Sequence, residues 1–178
     1  IKNSIDVALR DNLIIFGVSP AYPAISYGYI KSERPLDHKQ YSADKVDKFI
    51  EKPDEKTARS FINDEKYSWN SGMFVFKATS ILTEIKYFAP EIIKNCEECL
   101  KKIKIDLDFL RLEKKSFLNC DSVSIDVSVF EKTRKAFVIP LSCGWDDVGS
   151  WESLWKMSKK DINGNSIKGR VVAQDNKD

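Results

Sequence analysis

The sequence predicts an α/β fold built around a mixed, mostly parallel sheet. Residues 12–18, NLIIFGV, form an unbroken apolar run of strand length, which is typical of a strand covered on both faces. A helical pattern over residues 5–12 leads directly into this run. Because a helix that feeds such a sheet normally follows a strand of the same sheet, we expect the sheet to be truncated at its N-terminal side.

The later elements are predicted by periodicity and by capping residues. Residues 45–52 predict a strand, in which every second side chain from Val46 to Ile50 faces one way and every second one from Asp47 to Glu51 the other. Asp54 is a typical N-cap for the helix that follows. A helix is predicted over 79–88, and Pro90 is a favourable first residue for a second one. Further helices are predicted to begin at about residue 124, opened by Asp126, and at residue 150. Short strands are predicted after the loop 19–28, after a turn at 69–72 and over 136–142.

The composition argues against two classes of partner. The 178 residues are 42% hydrophobic and 31% charged, so the chain can bury a core as one large domain or as a piece of a larger protein. A formal net charge of +2 gives no electrostatic reason to expect nucleic acid. No apolar run approaches the roughly 18 residues that suggest a membrane span, and the first residues do not resemble a signal peptide, so we expect no membrane partner.

The four cysteines are Cys96, Cys99, Cys120 and Cys143. Cys96 and Cys99 form a C-x-x-C, a spacing used in redox chemistry and in zinc sites. Their helical pattern places Cys96 on an apolar stripe and Cys99 at its edge, no second C-x-x-C follows, and the single histidine, His38, is far away in sequence. We therefore expect core or helix-surface cysteines that stay reduced in a cytoplasmic protein.

Two short motifs combine groups that suit a phosphorylated sugar. In EKP, Glu51 can accept hydrogen bonds from hydroxyl groups, Lys52 supplies a point charge for a phosphate, and Pro53 fixes the backbone after them. In WNSG, Asn70 offers a donor and an acceptor, and Gly72 allows close approach of the backbone. Taken singly, EKP also fits a solvated strand end and WNSG a hairpin-like turn.

A third motif, WDDVGSW, contains adjacent carboxylates before a glycine. Asp146 and Asp147 could bind a hard cation such as Mg²⁺, although an Asp-Asp pair is also an ordinary signal for the start of a helix. Side chains of neighbouring residues on an extended strand point to opposite faces, so only one of the two would face a ligand.

The order of five motifs makes the chain resemble the mannose-1-phosphate guanylyltransferases, within the sugar-nucleotide pyrophosphorylases. The motifs are FGVSPAYPAISYGYIK, FIEKPD, WNSGMFVFKA, SIDVSVFEKT and GWDDVGSWESLW, and the similarity runs from about Leu13 to Gly169. The bacterial type, which makes GDP-mannose for surface polysaccharides, is the nearest match. The resemblance implies a Rossmann-like nucleotide-diphospho-sugar transferase fold and the synthesis of GDP-mannose and pyrophosphate from GTP and mannose 1-phosphate, by a metal-assisted in-line displacement.

The resemblance also assigns roles to individual residues. Mg²⁺ is the implied cofactor, and Lys52 and Asp147 are the implied catalytic residues. The acid directly before the Val-Gly pair is the one that the family motif places at the metal, which leaves Asp146 a solvating or capping role. The matching positions are Gly28, Glu51, Asn70 and Asp126 for the mannose, Lys52 for its phosphate, and Asp147 for the metal.

The sequence also departs from the family pattern. Ile25 and Ser26 stand where the family usually has Thr-Gly, Val127 where it prefers an aromatic residue, and Phe130 where it prefers methionine. Nothing in the sequence matches the glycine-rich loop that cradles the triphosphate, or the further acidic motif that supplies the other metal ligand. We therefore expect residues 1–160 to be the sugar-phosphate-binding half of the catalytic domain, residues 161–178 to begin a connector to a C-terminal domain, and the isolated chain to be inactive.

Three functions remain open from the sequence. The first is the guanylyltransferase, acting on mannose 1-phosphate and GTP. The second is a non-catalytic module that binds a sugar phosphate or a partner chain, and the third is a related pyrophosphorylase for another sugar or base. A sheet edge left uncovered would also make a homo-oligomer plausible.

Overall fold

The computed structural model describes residues 2–37 and 39–176, so His38 lies outside the described residues. The chain forms two compact units, Ile1–Cys143 and Gly144–Asp178, which are described separately. The functional boundary expected near residue 160 stays a prediction.

The first unit contains most of the regular structure. Its elements are α1 (Lys2–Ala8), β1 (Leu13–Val18), β2 (Tyr29–Ser32), β3 (Asp44–Ile50), α2 (Glu55–Phe61), β4 (Tyr67–Val75), α3 (Ala78–Phe88), α4 (Pro90–Lys101), β5 (Lys104–Asp106), β6 (Phe109–Arg111), α5 (Lys114–Leu118), a π-helical segment (Asp126–Phe130) and β7 (Ala136–Leu141). The second unit contains α6 (Trp151–Met157), capped by the Ser150 side chain. The β5–β6 hairpin and α5 are not predicted from the sequence.

Five strands form one mixed sheet in the order β1-β4-β2-β3-β7, and β7 also pairs with β1. The predicted α/β class and mixed sheet are confirmed. The expectation that most pairs would be parallel is wrong for the described strands, because only β1 and β7 run parallel and the other four pairings are antiparallel. An unbroken apolar run indicates burial on both faces, and such burial does not fix strand direction.

Strand β1 is the centre of the core, as its composition predicts. Leu13 and Ile15 point to one face and join the main core cluster with residues of α3 and the π-helical segment. Ile14 and Phe16 point to the other face and pack with Ala8 of α1. Alternate side chains of one strand thus contribute to two separate apolar layers.

Two local predictions have different outcomes. Asp54 caps α2 as expected, since its carboxylate accepts a hydrogen bond from the Thr57 N–H at 2.7 Å. The prediction that Cys96 lies on the apolar stripe of α4 and Cys99 at its edge is wrong, because Cys99 is buried and Cys96 is exposed. Cys99 faces α5, an element that the apolar pattern of α4 alone does not reveal.

Across residues 2–37 and 39–176, no helix has both the length and the apolar character needed to cross a bilayer.

Candidate functional site

Three of the predicted sugar-binding residues meet at one end of the sheet because of strand register. Tyr29, the first residue of β2, lies opposite the last residue of β3 and opposite Trp69 of β4. Gly28 directly precedes Tyr29, and Glu51 directly follows the last residue of β3. Asn70 directly follows Trp69, so the three residues lie at the same end of the sheet. Their convergence follows from the pairing, although the three positions are far apart in sequence.

Gly28 occupies a position with no room for a side chain. A Cβ atom placed there would lie 2.6 Å from Oε2 of Glu51 and 3.3 Å from the Cβ atom of Asn70. The Gly28 carbonyl also accepts a hydrogen bond from the Asn70 N–H at 2.7 Å. The absent side chain therefore lets the Glu51 carboxylate lie against the backbone beside Asn70.

Asn70 connects this end of the sheet to the π-helical segment. Its Nδ2 atom donates to Oδ1 of Asp126 at 3.0 Å, and its Oδ1 atom accepts from the Gly72 N–H at 2.9 Å. These two bonds fix the orientation of the amide. One amide hydrogen and one lone pair of the side chain are left over for a ligand hydroxyl.

The WNSG motif lies inside β4 and is not a hairpin turn. The partner of Ile15 in β1 is Phe74, whereas the partner of Gly17 is Asn70, so the register shifts between them. Gly72 lies in this bulge with φ of +71°, a left-handed conformation that glycine adopts without strain. The bulge allows the Gly72 N–H to point back at the Asn70 side chain.

Lys52 differs from its neighbour in exposure. The Lys52 side chain is 63% exposed and the Glu51 side chain 20%, and the Lys52 Nζ atom lies 3.3 Å from Oε1 of Glu51. The backbone of Lys52 is left-handed, with φ of 46°, and Pro53 after it is buried. The ammonium group is thus held beside the carboxylate while remaining accessible to an anion.

Glu131 is a member of the cluster that the sequence reasoning does not assign. Its Oε1 atom accepts a hydrogen bond from the Glu51 N–H at 3.2 Å. The residue belongs to the quoted motif SIDVSVFEKT, which is the only signal for it in the sequence. The cluster therefore has three carboxylates, Glu51, Asp126 and Glu131, beside one ammonium group, and this excess of acceptors suits the hydroxyl groups of a sugar.

Aromatic rings pack around Trp69 of β4. The ring centroid of Trp69 lies 4.8 Å from that of Tyr22 and 5.2 Å from that of Tyr27, both in edge-on geometry. Trp69 directly precedes Asn70 in β4, so the two side chains point to opposite faces of the sheet and the rings pack on the face away from the Asn70 amide. Such packing is typical of aromatic pairs in folded proteins.

Asp146 and Asp147 lie in the second unit, in an irregular segment before α6 and not on a strand end as predicted. The Asp146 carboxylate accepts a hydrogen bond from the Val148 N–H at 2.7 Å, a local turn contact, whereas the cap of α6 is Ser150. Asp147 is exposed, and its Oδ2 atom lies 2.9 Å from the position of a Cβ atom built on Gly149. In the described part of the chain, no three His, Cys, Asp or Glu side chains are placed to hold a metal ion together.

Comparisons with known proteins find relatives over nearly the whole chain. The family model for nucleotidyl transferases matches residues 1–164. The chain is 45% identical over 176 residues to a mannose-1-phosphate guanylyltransferase of Escherichia coli, covering 98% of this chain and 38% of the relative. It is 44% identical over 170 residues to the alginate biosynthesis protein AlgA of Pseudomonas syringae pv. tomato, covering 96% and 35%. The chain thus spans little more than a third of the length of these relatives.

Solved structures share the fold. A crystal structure of mannose-6-phosphate isomerase from Helicobacter pylori matches with a TM-score of 0.72 and 35% identity, covering 82% of this chain and 56% of that one. A crystal structure of mannose-1-phosphate geranyltransferase from Thermus thermophilus matches with a TM-score of 0.70 and 24% identity, covering 89% and 44%. The second similarity concerns the fold alone. Because the family model covers nearly the whole chain, this protein belongs to the nucleotidyl transferase family.

Proposed function

We propose that this chain provides the mannose 1-phosphate site of a guanylyltransferase that makes GDP-mannose and pyrophosphate from GTP and mannose 1-phosphate. The observation that carries the proposal is the convergence of Gly28, Glu51, Asn70 and Asp126, with Lys52 at its edge. Similarity to enzymes named mannose-1-phosphate guanylyltransferase supports the choice of sugar and base.

In this proposal the polar groups divide the substrate between them. The Glu51 carboxylate accepts hydrogen bonds from mannose hydroxyls, and Asn70 contributes its remaining N–H and lone pair. Lys52 turns its ammonium group from Glu51 toward the sugar phosphate, which it can do because its side chain is largely exposed. That movement leaves the Glu51 oxygen available to the sugar, so binding of the two parts of the substrate is coupled.

The chemical step needs little covalent work from the protein. An oxygen of the sugar phosphate attacks the α-phosphorus of GTP in line with the departing pyrophosphate, so positioning and charge stabilisation are the main contributions. Lys52 offsets negative charge on the attacking phosphate, and the hydrogen bonds to the sugar hold the attacking oxygen in place.

Mg²⁺ is the cofactor that the family implies, and Asp147 is the residue that we assign to it. This cation is commonly bound by one or two carboxylates together with substrate phosphates and water, so a single exposed carboxylate fits its chemistry. When bound, the ion would neutralise charge on the phosphates. Asp146 is a poorer candidate, since its carboxylate already accepts the Val148 N–H.

A chimera tests the proposal directly. Residues 1–178 would replace the matching segment of the Escherichia coli relative, and release of pyrophosphate from GTP would be measured with mannose 1-phosphate and Mg²⁺. We expect turnover in the chimera and at least tenfold less turnover after Glu51→Ala. A folded chimera that uses another sugar phosphate or another base would support a related pyrophosphorylase. One that binds the sugar phosphate without turnover would support a binding module.

A further inference from the structure

Three of the four cysteines come together where α4 packs against α5. The Cys99 thiol, on α4, donates to the Glu113 carbonyl just before α5, at 3.8 Å. Cys120, just after α5, donates to the carbonyl of Ser116 at 3.8 Å, and burial together with the neighbouring Cys96 raises the pKa of its thiol. The packing of α4 on α5 therefore makes Cys96 and Cys120 neighbours.

A hydrogen bond beside the two residues indicates the same proximity. Nδ2 of Asn95 donates to the carbonyl oxygen of Asn119 at 3.2 Å, and these residues directly precede Cys96 and Cys120. The two chain segments are thus held side by side at the cysteines, independently of the thiol groups. A disulfide needs its two Cβ atoms about 3.5–4.5 Å apart, which requires such an approach of the segments.

The three thiols differ in access to solvent. Cys96 is exposed, Cys120 is half-buried and Cys99 is buried. Burial raises the pKa of the Cys99 thiol and of the Cys120 thiol, which keeps both protonated near neutral pH. Of these three thiols, Cys96 is therefore the one that an oxidant in solution meets first.

We propose that Cys96 and Cys120 form a reversible disulfide when the protein meets a peroxide. The Cys96 thiolate attacks a hydrogen peroxide oxygen, the O–O bond breaks, and the departing hydroxide takes up the proton that the thiol released, so that a sulfenic acid and water are formed. The Cys120 sulfur then attacks the sulfenic sulfur, the S–O bond breaks, and a second water leaves with the thiol proton. Two electrons pass from the sulfurs to the peroxide, so two thiols and one peroxide give one disulfide and two waters.

Cys99 is a poorer partner for Cys96 in spite of the C-x-x-C spacing. Residues three apart on a helix have Cβ atoms about 5–6 Å apart, which is longer than a disulfide allows without distorting α4. The Cys99 thiol is also directed at the Glu113 carbonyl. The disulfide that the structure favours therefore joins α4 to the chain after α5, and it closes a loop that contains the β5–β6 hairpin.

The proposal is tested on the 178-residue chain with hydrogen peroxide. After treatment, remaining thiols are alkylated under denaturing conditions, and intact mass and proteolytic peptides are measured. We expect the number of alkylated cysteines to fall from four to two and a linked peptide pair containing Cys96 and Cys120 to appear. A dithiol reductant should restore all four. The rate should rise with pH because the attacking group in each step is a thiolate.

Four serine variants distinguish the proposed disulfide from other pairings of the four cysteines. Cys96→Ser and Cys120→Ser should abolish the linked peptide, whereas Cys99→Ser and Cys143→Ser should retain it. Circular dichroism of each variant checks that it is folded. A linkage between Cys96 and Cys99, a disulfide from Cys96 to another cysteine in folded Cys120→Ser protein, or four alkylated cysteines after peroxide would each overturn the proposal.

Discussion

Replacing Gly28 by alanine tests whether the Glu51 carboxylate must lie against the backbone to bind the sugar. The backbone of Gly28 is outside the left-handed region, so alanine brings no conformational strain and only adds a methyl group. That group would lie 2.6 Å from Oε2 of Glu51 and 3.3 Å from Phe49 and Asn70. The nearest neighbour is the end of a flexible side chain, so we expect the carboxylate to move and the fold to persist.

The size of the effect follows from these distances. Ordinary van der Waals contact begins near 3.4 Å, so the Glu51 oxygen has to move by roughly 0.8 Å. A displacement of this size breaks a hydrogen bond of normal length, and losing a bond to a charged group costs about 1.5–3 kcal/mol. We expect Gly28→Ala to weaken the binding of mannose 1-phosphate roughly tenfold to a hundredfold.

A double-mutant cycle measured by calorimetry shows whether the loss passes through Glu51. If it does, Gly28→Ala should cost much less affinity in a Glu51→Ala background than in the wild type. Urea unfolding of each variant reports stability separately. Equal losses of affinity in both backgrounds, or unchanged affinity in the folded single variant, would refute the assigned role of Glu51.

Three further predictions concern other carboxylates. Asp126→Ala removes the partner of Asn70 and should weaken mannose 1-phosphate binding by about 1 kcal/mol, measured by calorimetry with exposed Asp121→Ala as the control. Two backbone N–H groups lower the pKa of Glu113 from 4.5 to about 2, so this group stabilises the fold above pH 4.5 and its contribution is lost as the pH falls toward 2. The difference in unfolding free energy between wild type and Glu113→Ala should therefore shrink over that range, and a constant difference would contradict the assignment. In the chimera, Asp147→Asn should abolish Mg²⁺-dependent turnover while Asp146→Asn costs little, and the reverse order would show that the metal assignment is wrong.

The sequence predicts elements better than their mutual arrangement. The apolar run of β1 and the N-cap at Asp54 depend on local composition, and both are present in the structure. The bulge at Gly72 depends on which residues of β1 lie opposite β4, and a glycine in a strand-like pattern is also compatible with a turn. Strand direction and register are decided by long-range pairing, so the periodicity of the sequence does not predict them.

The residues of the candidate site are likewise predicted better than the contacts between them. Glu51, Asn70 and Asp126 can be named from motifs, but their contacts follow from sheet register and from the position of the π-helical segment. Glu131 cannot be assigned from the sequence because its role is to accept a backbone N–H eighty residues away in the chain. The apolar pattern of α4 puts Cys99 at the edge of the stripe because α5, against which it is buried, carries no clear helical signal.

The most direct measurement is a titration of the ¹⁵N-labelled 178-residue chain with mannose 1-phosphate, followed by amide chemical shifts. Residues at the end of the sheet, Gly28, Glu51, Lys52 and Asn70, should show the largest saturable changes, together with Asp126 in the π-helical segment. Mannose without phosphate should shift the same amides, with a smaller change at Lys52. Saturable binding that leaves these five amides unshifted, or no binding by the folded chain, would contradict the assignment of this cluster as the sugar-phosphate site.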